Sequence, residues 1–347
     1  MRWRSVATLL SLAQLLPALA VLLAAVPGAA AQTVPKRSPE PILKIEIKAQ
    51  PIEAFDPRDP AQRRFGALMF RGGLVLTSPE RRFGGLSGLR VFPDGSRFIA
   101  VTDRGYWLRA RIGYRDGRPI GIEDAEMAPV LGGDGRPLSR RGWYDTESIA
   151  MQDGTVYVGI ERVHEIVRFD FGKDGLRARG RPIPVPPGVK MLPSNGGLEC
   201  LAVPSRGQPH AGTLIAISER GLDRAGNIQG FLIGGAGGAF TVRRTEEFDI
   251  SDCTATPEGD LLLLERRFSW LRGIAMRIRR VALTRVNPGA VVDGPELIFA
   301  DMGYQIDNME GISVHRAADG ALVLTLVSDD NFSVLQRTLL LQFQMSE

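Results

Sequence analysis

The chain is short of lysine, histidine and cysteine: 347 residues hold five lysines, three histidines and two cysteines. Each shortage removes a class of protein. Two cysteines cannot staple a small disulfide-rich fold. His164, His210 and His315 are scattered, and no Cys or His spacing fits zinc or another soft metal. The basic residues are mostly arginine, form no long run and leave a formal charge of +4, so nucleic acid is not an expected partner. No HExxH occurs. Gly234-Gly235-Ala236-Gly237-Gly238 lacks the Lys-Ser/Thr of a phosphate loop. Gly85-Leu86-Ser87-Gly88 has Leu89 where a nucleophile elbow needs glycine. An enzyme built on this sequence would have to work with acids and a metal.

One long apolar run is present, at the start. Arg2 and Arg4 precede Val6 to Val26, and Ala29-Ala30-Ala31 follows. A basic start, an apolar core and small residues at the exit are the pattern of a cleaved export signal over residues 1–31. The competing reading is an uncleaved anchor, since the run is long enough to span a bilayer. No cysteine follows it, which excludes a lipid anchor there. The expectation is a periplasmic or secreted monomer with no membrane insertion after cleavage. Residues 32–64 are expected as an N-terminal extension and 65–347 as one domain.

Five places carry one short phrase: Ser87-Gly88-Leu89-Arg90, Glu147-Ser148-Ile149-Ala150, Glu199-Cys200-Leu201-Ala202, Asp252-Cys253-Thr254-Ala255 and Glu310-Gly311-Ile312-Ser313, starting 52 to 60 residues apart. Each leads to a polar turn such as Asp153-Gly154 or Glu258-Gly259 and then to a β-rich run. A period of this length built from hairpins predicts an all-β propeller with roughly four strands per blade. Five phrases give five blades. The last lacks an outer strand, which Phe65 to Thr77 would supply, closing the ring without a free edge. A sixth blade requires more than one strand around Ile42 to Lys48.

The second run of each hairpin ends in an acid: Asp103, Glu161, Glu219, Glu265 and Asp329. In an antiparallel hairpin these lie at the same end as the phrase, so Glu147 should face Glu161 and Asp252 should face Glu265. Adding Glu199 and Glu310 brings about ten acids to one mouth of the axial channel, where like charges repel unless a cation is present. Two sources of positive charge fit. Arg104, Arg162, Arg220 and Arg266 each follow a second acid and would form a salt-bridge girdle. Alternatively a hard ion, calcium above all, binds Glu147, Glu161, Glu199, Glu219, Asp252, Glu265, Glu310 and Asp329, helped by Asp145, Asn195, Asp249, Asp307, Asn308 and Asn331.

Cys200 and Cys253 hold the phrase position of Gly88, Ser148 and Gly311. Equivalent positions in neighbouring blades point the same way round a ring, so the repeat predicts a site for small residues and disfavours a disulfide.

Phe83-Gly84-Gly85-Leu86-Ser87-Gly88-Leu89, Asp145-Thr146-Glu147-Ser148-Ile149-Ala150, Asn195-Gly196-Gly197-Leu198-Glu199, Asp307-Asn308-Met309-Glu310-Gly311-Ile312 and Ser328-Asp329-Asp330-Asn331-Phe332 resemble the recurring blocks of the phytase-like β-propellers, the esterase-like activity of phytase family. The likeness spans about residues 65 to 345. It implies an exported propeller and a hydrolase of phosphoric or carboxylic esters. For an enzyme working at the acid ring, Glu219 and Glu310 are the expected catalytic carboxylates, one ring carboxylate serving as general base, with Arg104 or Arg220 holding the anionic oxygens. Arg162, Arg266, Asp103 and Asn331 are expected to bind a small anionic ester. The alternative is a propeller that binds a ligand or protein without turnover.

Overall fold

The computed structural model describes residues 40–271 and 273–345, so the leader expected at 1–31 lies outside the described residues. Five sheets stand around an axis as a five-bladed β-propeller. Their innermost strands are Leu86–Val91, Thr146–Gln152, Leu198–Ala202, Asp249–Ala255 and Asn308–Arg316, one for each phrase. Leu86–Val91 and Leu198–Ala202 are buried at every residue, because neighbouring blades cover both faces. This explains why apolar and small residues show no alternation in them, the charged exceptions Arg90 and Glu199 being turned to the axis and the mouth. A Cβ on Gly88 would meet Ile149 at 2.9 Å, and one on Gly311 would meet Leu89 at 3.2 Å. Glycine therefore sets how closely the inner strands approach.

The apolar core is divided into five seams, one between each pair of blades. Leu262, Leu264 and Met276 of the fourth blade, for example, pack on Leu324, Leu326 and Phe343 of the fifth.

Strands from the early and the last parts of the described chain meet in the fifth blade, where Leu68–Thr77 pairs antiparallel with Thr338–Met345. Blade pairing starts upstream of Phe65, however. Lys48–Ile52 adds to the outer edge of the fifth blade and Leu43–Lys44 to that of the first. The stretch expected as an extension covers two sheet edges that would otherwise be open. With these strands committed to existing blades, no sixth blade forms among the described residues.

On the axis, Arg90 is buried and paired with buried Asp252 at 2.9 and 3.2 Å. Its guanidinium also donates to the carbonyls of Leu201, Cys253 and Ile312 at 2.7, 2.8 and 2.9 Å. One side chain from the first blade thus ties together inner strands of the third, fourth and fifth. Burial pushes the Asp252 carboxyl up to about 6 despite Arg90 beside it.

Cys200 and Cys253 form a disulfide with Cα atoms 5.1 Å apart, against the sequence expectation. The two positions are not equivalent. Cys200 pairs with Ile217 directly after the bulge of its strand, whereas in the fourth blade Asp252 holds that place and Cys253 is one residue further on. The one-residue offset lets the two sulfurs meet.

Candidate metal centre

Every inner strand has a bulge at the same place, between Leu86 and Gly88, Thr146 and Ser148, Leu198 and Cys200, Ile250 and Asp252, and Met309 and Gly311. The unpaired residues are Ser87, Glu147, Glu199, Ser251 and Glu310. A bulge re-aims the side chain it carries, and Glu147, Glu199 and Glu310 all line one cavity of 860 Å³ at the axial mouth.

The register corrects two expected ligands. Glu265 pairs with Ile250, not with Asp252, and its carboxylate is buried between Arg277 and Arg279 at 2.8 and 2.7 Å. Asp252 belongs to the axial pair with Arg90. Neither reaches the mouth. The fourth blade instead presents Ser251 at the bulge and Arg266 where the other blades present Asp103, Glu161, Glu219 and Asp329. The signal lay one residue earlier: Leu86, Leu198, Ile250 and Met309 each immediately precede the bulge, which marks Ser251 and not Asp252 as the counterpart.

Arg266 therefore stands in the ring itself. Its Nη2 is 3.1 Å from Glu219 Oε1, its Nη1 donates to Asn308 Oδ1 at 3.0 Å, and its Nε lies 3.3 Å from Glu310 Oε1 without a hydrogen-bonding angle. The other arginines sit further out. Arg162 pairs with Asp145 at 2.6 Å, Arg220 with Asp249 at 2.7 Å, and Arg104 lies over the Phe332 ring. Arg104 does not line the cavity, whereas Arg162, Arg220, Asp103, Asp329 and Asn331 do.

Carboxylate oxygens of Asp145, Glu147 and Glu161 lie within 4.8 Å of one another, as do those of Glu161, Glu199 and Glu219. Glu161 is common to both groups. Its Oε1 accepts from the backbone N–H of Gly196 and Gly197 at 2.6 and 3.0 Å, so the Asn195-Gly196-Gly197 turn fixes it. A Cβ on Gly197 would strike the Glu161 side chain at 2.8 Å.

Eight carboxyl groups and three arginines line the cavity. Burial, then Asp145, Glu310 and Glu161, pushes Glu147 well above the usual range, and burial, then Glu147 and Glu219, does the same to Glu199. Burial raises Glu219 too, with Arg266 opposing. Burial lifts Glu310 to about 8, Asp329 to about 7 and Asp103 to about 6. Asp103 Oδ1 is buried without a hydrogen-bond partner. The donor set fits a hard cation: both groups of three are carboxylates only, with an unpartnered oxygen nearby and no imidazole or thiolate among them. A buried acidic cluster able to take a metal ion is thus present.

A groove of equal volume between the first and second blades is lined by Arg97, Arg109, Arg111, Asp124, Glu126 and Lys173 among others. Its arginines are already ion-paired with Asp94, Glu126 and Asp124.

Fold and mouth together define a five-bladed propeller with a carboxylate-lined axial site. Residues 81–332 match the family described as "Phytase-like: Esterase-like activity of phytase", and the chain belongs to it. No curated protein matches the sequence. Among solved structures it is similar to the α-L-arabinofuranosidase of Podospora anserina, at 10% identity and TM-score 0.47 over 80% of this chain and 97% of that one. It is also similar to the aldose sugar dehydrogenase of Streptomyces coelicolor, at 12% identity and TM-score 0.40 over 87% and 98%. The glutaminyl cyclase of Myxococcus xanthus is similar at 12% identity and TM-score 0.39 over 76% and 92%. Among the described residues no helix is long and apolar enough to cross a membrane.

Proposed function

We propose that this protein is an exported, calcium-dependent hydrolase of small anionic phosphoric or carboxylic esters, acting at the axial mouth. The observation that carries this reading is the pair of carboxylate groups sharing Glu161, with Arg266 set among their neighbours. Asp145, Glu147, Glu161, Glu199 and Glu219 would hold the ion. When bound, calcium would supply polarisation of an ester oxygen and a lowered pKa for water.

The chain's own groups do the rest. Glu161 is held by two backbone N–H groups and keeps its position without a ligand. Glu310, steadied by Asn308 at 2.8 Å and raised by burial, is the candidate acid toward a leaving oxygen. Glu219, beside Arg266, is the candidate base. Arg220 reaches the cavity wall and steers the anionic part of a substrate. The Cys200–Cys253 disulfide supports a periplasmic or secreted location, since such bonds persist in oxidising compartments.

One observation favours a binding propeller without turnover: Arg162, Arg220 and Arg266, the arginines of the cavity, are all engaged by acids. Chromogenic phosphate mono- and diesters and short acyl esters, tried with calcium and with chelator, separate the readings. Calcium-dependent turnover lost in Glu219→Gln and Glu310→Gln supports the hydrolase. Absence of turnover on every ester leaves the binding reading, and activity surviving both substitutions moves the chemistry away from the axis.

A further inference from the structure

The mouth is chemically two-sided. Asp260–Ser269 and Gly273–Ala282 of the fourth blade are each 10 residues long, against six for Thr155–Ile160 and Glu165–Asp170 in the second. The hairpin of the fourth blade continues past the mouth as a projecting wall. Side chains alternate along a strand, so the turn that sends Arg266 into the cavity also puts Phe268 on that face, and Trp270 follows at the tip. Phe268 pairs across the hairpin with Ile274, and its ring meets that of Trp270 edge to face at 5.3 Å. From the fifth blade, Leu335 reaches the same cavity.

Phe268, Trp270 and Leu335 are 59%, 93% and 89% exposed, yet they line the same 860 Å³ cavity as the carboxylates. That volume lies within the range of small-molecule pockets. Apolar side chains gathered at the lip of a charged cavity offer a surface that a wholly polar ligand does not use. A bare polyanion would also meet eight carboxyl groups against three arginines.

The geometry points to an amphiphilic ligand: an anionic ester head seated beside Arg266 and the carboxylate groups, with its aryl or alkyl portion lying across Phe268, Trp270 and Leu335. This rests on the mouth being the cation-bearing ester site proposed above, and it names the substrate class that site takes. Trp270 and Phe268 are specificity residues here, with no part in proton transfer.

The test is calorimetric binding of octylphosphonate and ethylphosphonate, neither hydrolysable, to the calcium-loaded full chain below the micelle concentration. Octylphosphonate is expected to bind at least roughly tenfold more tightly, the gain that about two buried methylenes supply. The double variant Phe268→Ser/Trp270→Ser should bring octylphosphonate to the ethylphosphonate value and leave the latter unchanged. Met191→Ser, at an apolar residue 78% exposed and absent from the cavity lining, should change neither. Equal affinities in the wild type, no binding of either phosphonate, or equal losses of both in the double variant would each overturn the inference. So would binding to phosphatidic acid vesicles without binding of monomeric octylphosphonate, which would make the apolar lip a membrane contact. A chain-length preference without turnover of any ester upholds the amphiphile and rejects the hydrolase. Turnover with equal phosphonate affinities does the reverse.

Discussion

Arg266 Nη2 stands 3.1 Å from Glu219 Oε1, in the place where four of the five blades present an acid. The fourth blade has exchanged a carboxylate for a guanidinium, so the ring carries a cation of its own in addition to any it binds. Girdle and metal, which the sequence left as alternatives, are therefore compatible.

Replacing Arg266 tests how these charges share the mouth. Arg266→Met leaves Glu219 and Glu310 without their neighbour and should destabilise the chelator-treated protein by about 2 kcal/mol. That is less than the roughly 3–5 kcal/mol for breaking a fully buried pair, because the Arg266 side chain keeps 29% exposure. The same change should strengthen calcium binding, since a positive charge leaves the site. Denaturant melts and calcium titration of one variant read both effects, and a fall in both stability and calcium affinity would contradict this account.

The acid mouth also fixes the sign of a pH effect. Asp103, Asp329 and Glu310 are raised by burial to about 6, 7 and 8. A carboxyl whose pKa is higher folded than unfolded keeps its proton longer in the folded state, so stability falls as pH rises between the two values. Chelated protein should therefore melt at higher temperature near about pH 5 than near about pH 8. Calcium, which favours the ionised carboxylates, should flatten or reverse the slope. A chelated protein that becomes more stable across this window would show that the mouth does not dominate.

Arg90 and Asp252 make a separate prediction. Arg90→Met strands a fully buried carboxylate and several backbone carbonyls, and should cost roughly 3–5 kcal/mol by urea unfolding. Arg90→Met/Asp252→Asn should recover part of that loss, because no buried charge is then left unpaired. Calcium binding at the mouth should change little in the double variant, since neither residue lines that cavity.

The disulfide joins inner strands of adjacent blades across 53 residues of sequence. Cys200→Ser/Cys253→Ser should lower stability by about 2–4 kcal/mol, as closing a loop of this size implies. Thiol titration of unfolded, unreduced protein should find none free. Two free thiols in exported protein would return the pair to the sequence reading of separate small residues.

Much of this architecture is legible from spacing alone, and the misreadings have one physical source. The phrase sets the period, the period sets the blades, and hairpin geometry brings Glu147, Glu161, Glu199, Glu219, Glu310 and Asp329 to one mouth. The sequence does not show backbone register. Aligning the fourth phrase on Asp252 instead of Ser251 shifted that blade by one residue. With side chains alternating in a strand, that shift puts Asp252 and Glu265 in the mouth and gives the two cysteines equivalent positions, where a disulfide is disfavoured. Glu265 is neutralised by Arg277 and Arg279, which come from the next strand. The aromatic wall at Phe268 and Trp270 follows from the length of one hairpin and not from any repeated phrase.

Glu161 gives the most direct test of the metal centre, because it alone belongs to both carboxylate groups found there. Glu161→Gln keeps an oxygen able to accept from the N–H groups of Gly196 and Gly197, so the turn that fixes it should survive. What is lost is one negative charge shared by two clusters. Calcium affinity should therefore fall further than in Glu147→Gln or Glu219→Gln, each of which removes a member of one cluster. The loss should reach at least roughly 10- to 100-fold, the range that outer-shell partners of a metal alone can cause. Titration calorimetry on the three variants, with circular dichroism to confirm an unchanged propeller, decides the matter. Equal small losses in all three would mean that the ion, if bound, sits away from Glu161, toward Asp103 and Asp329.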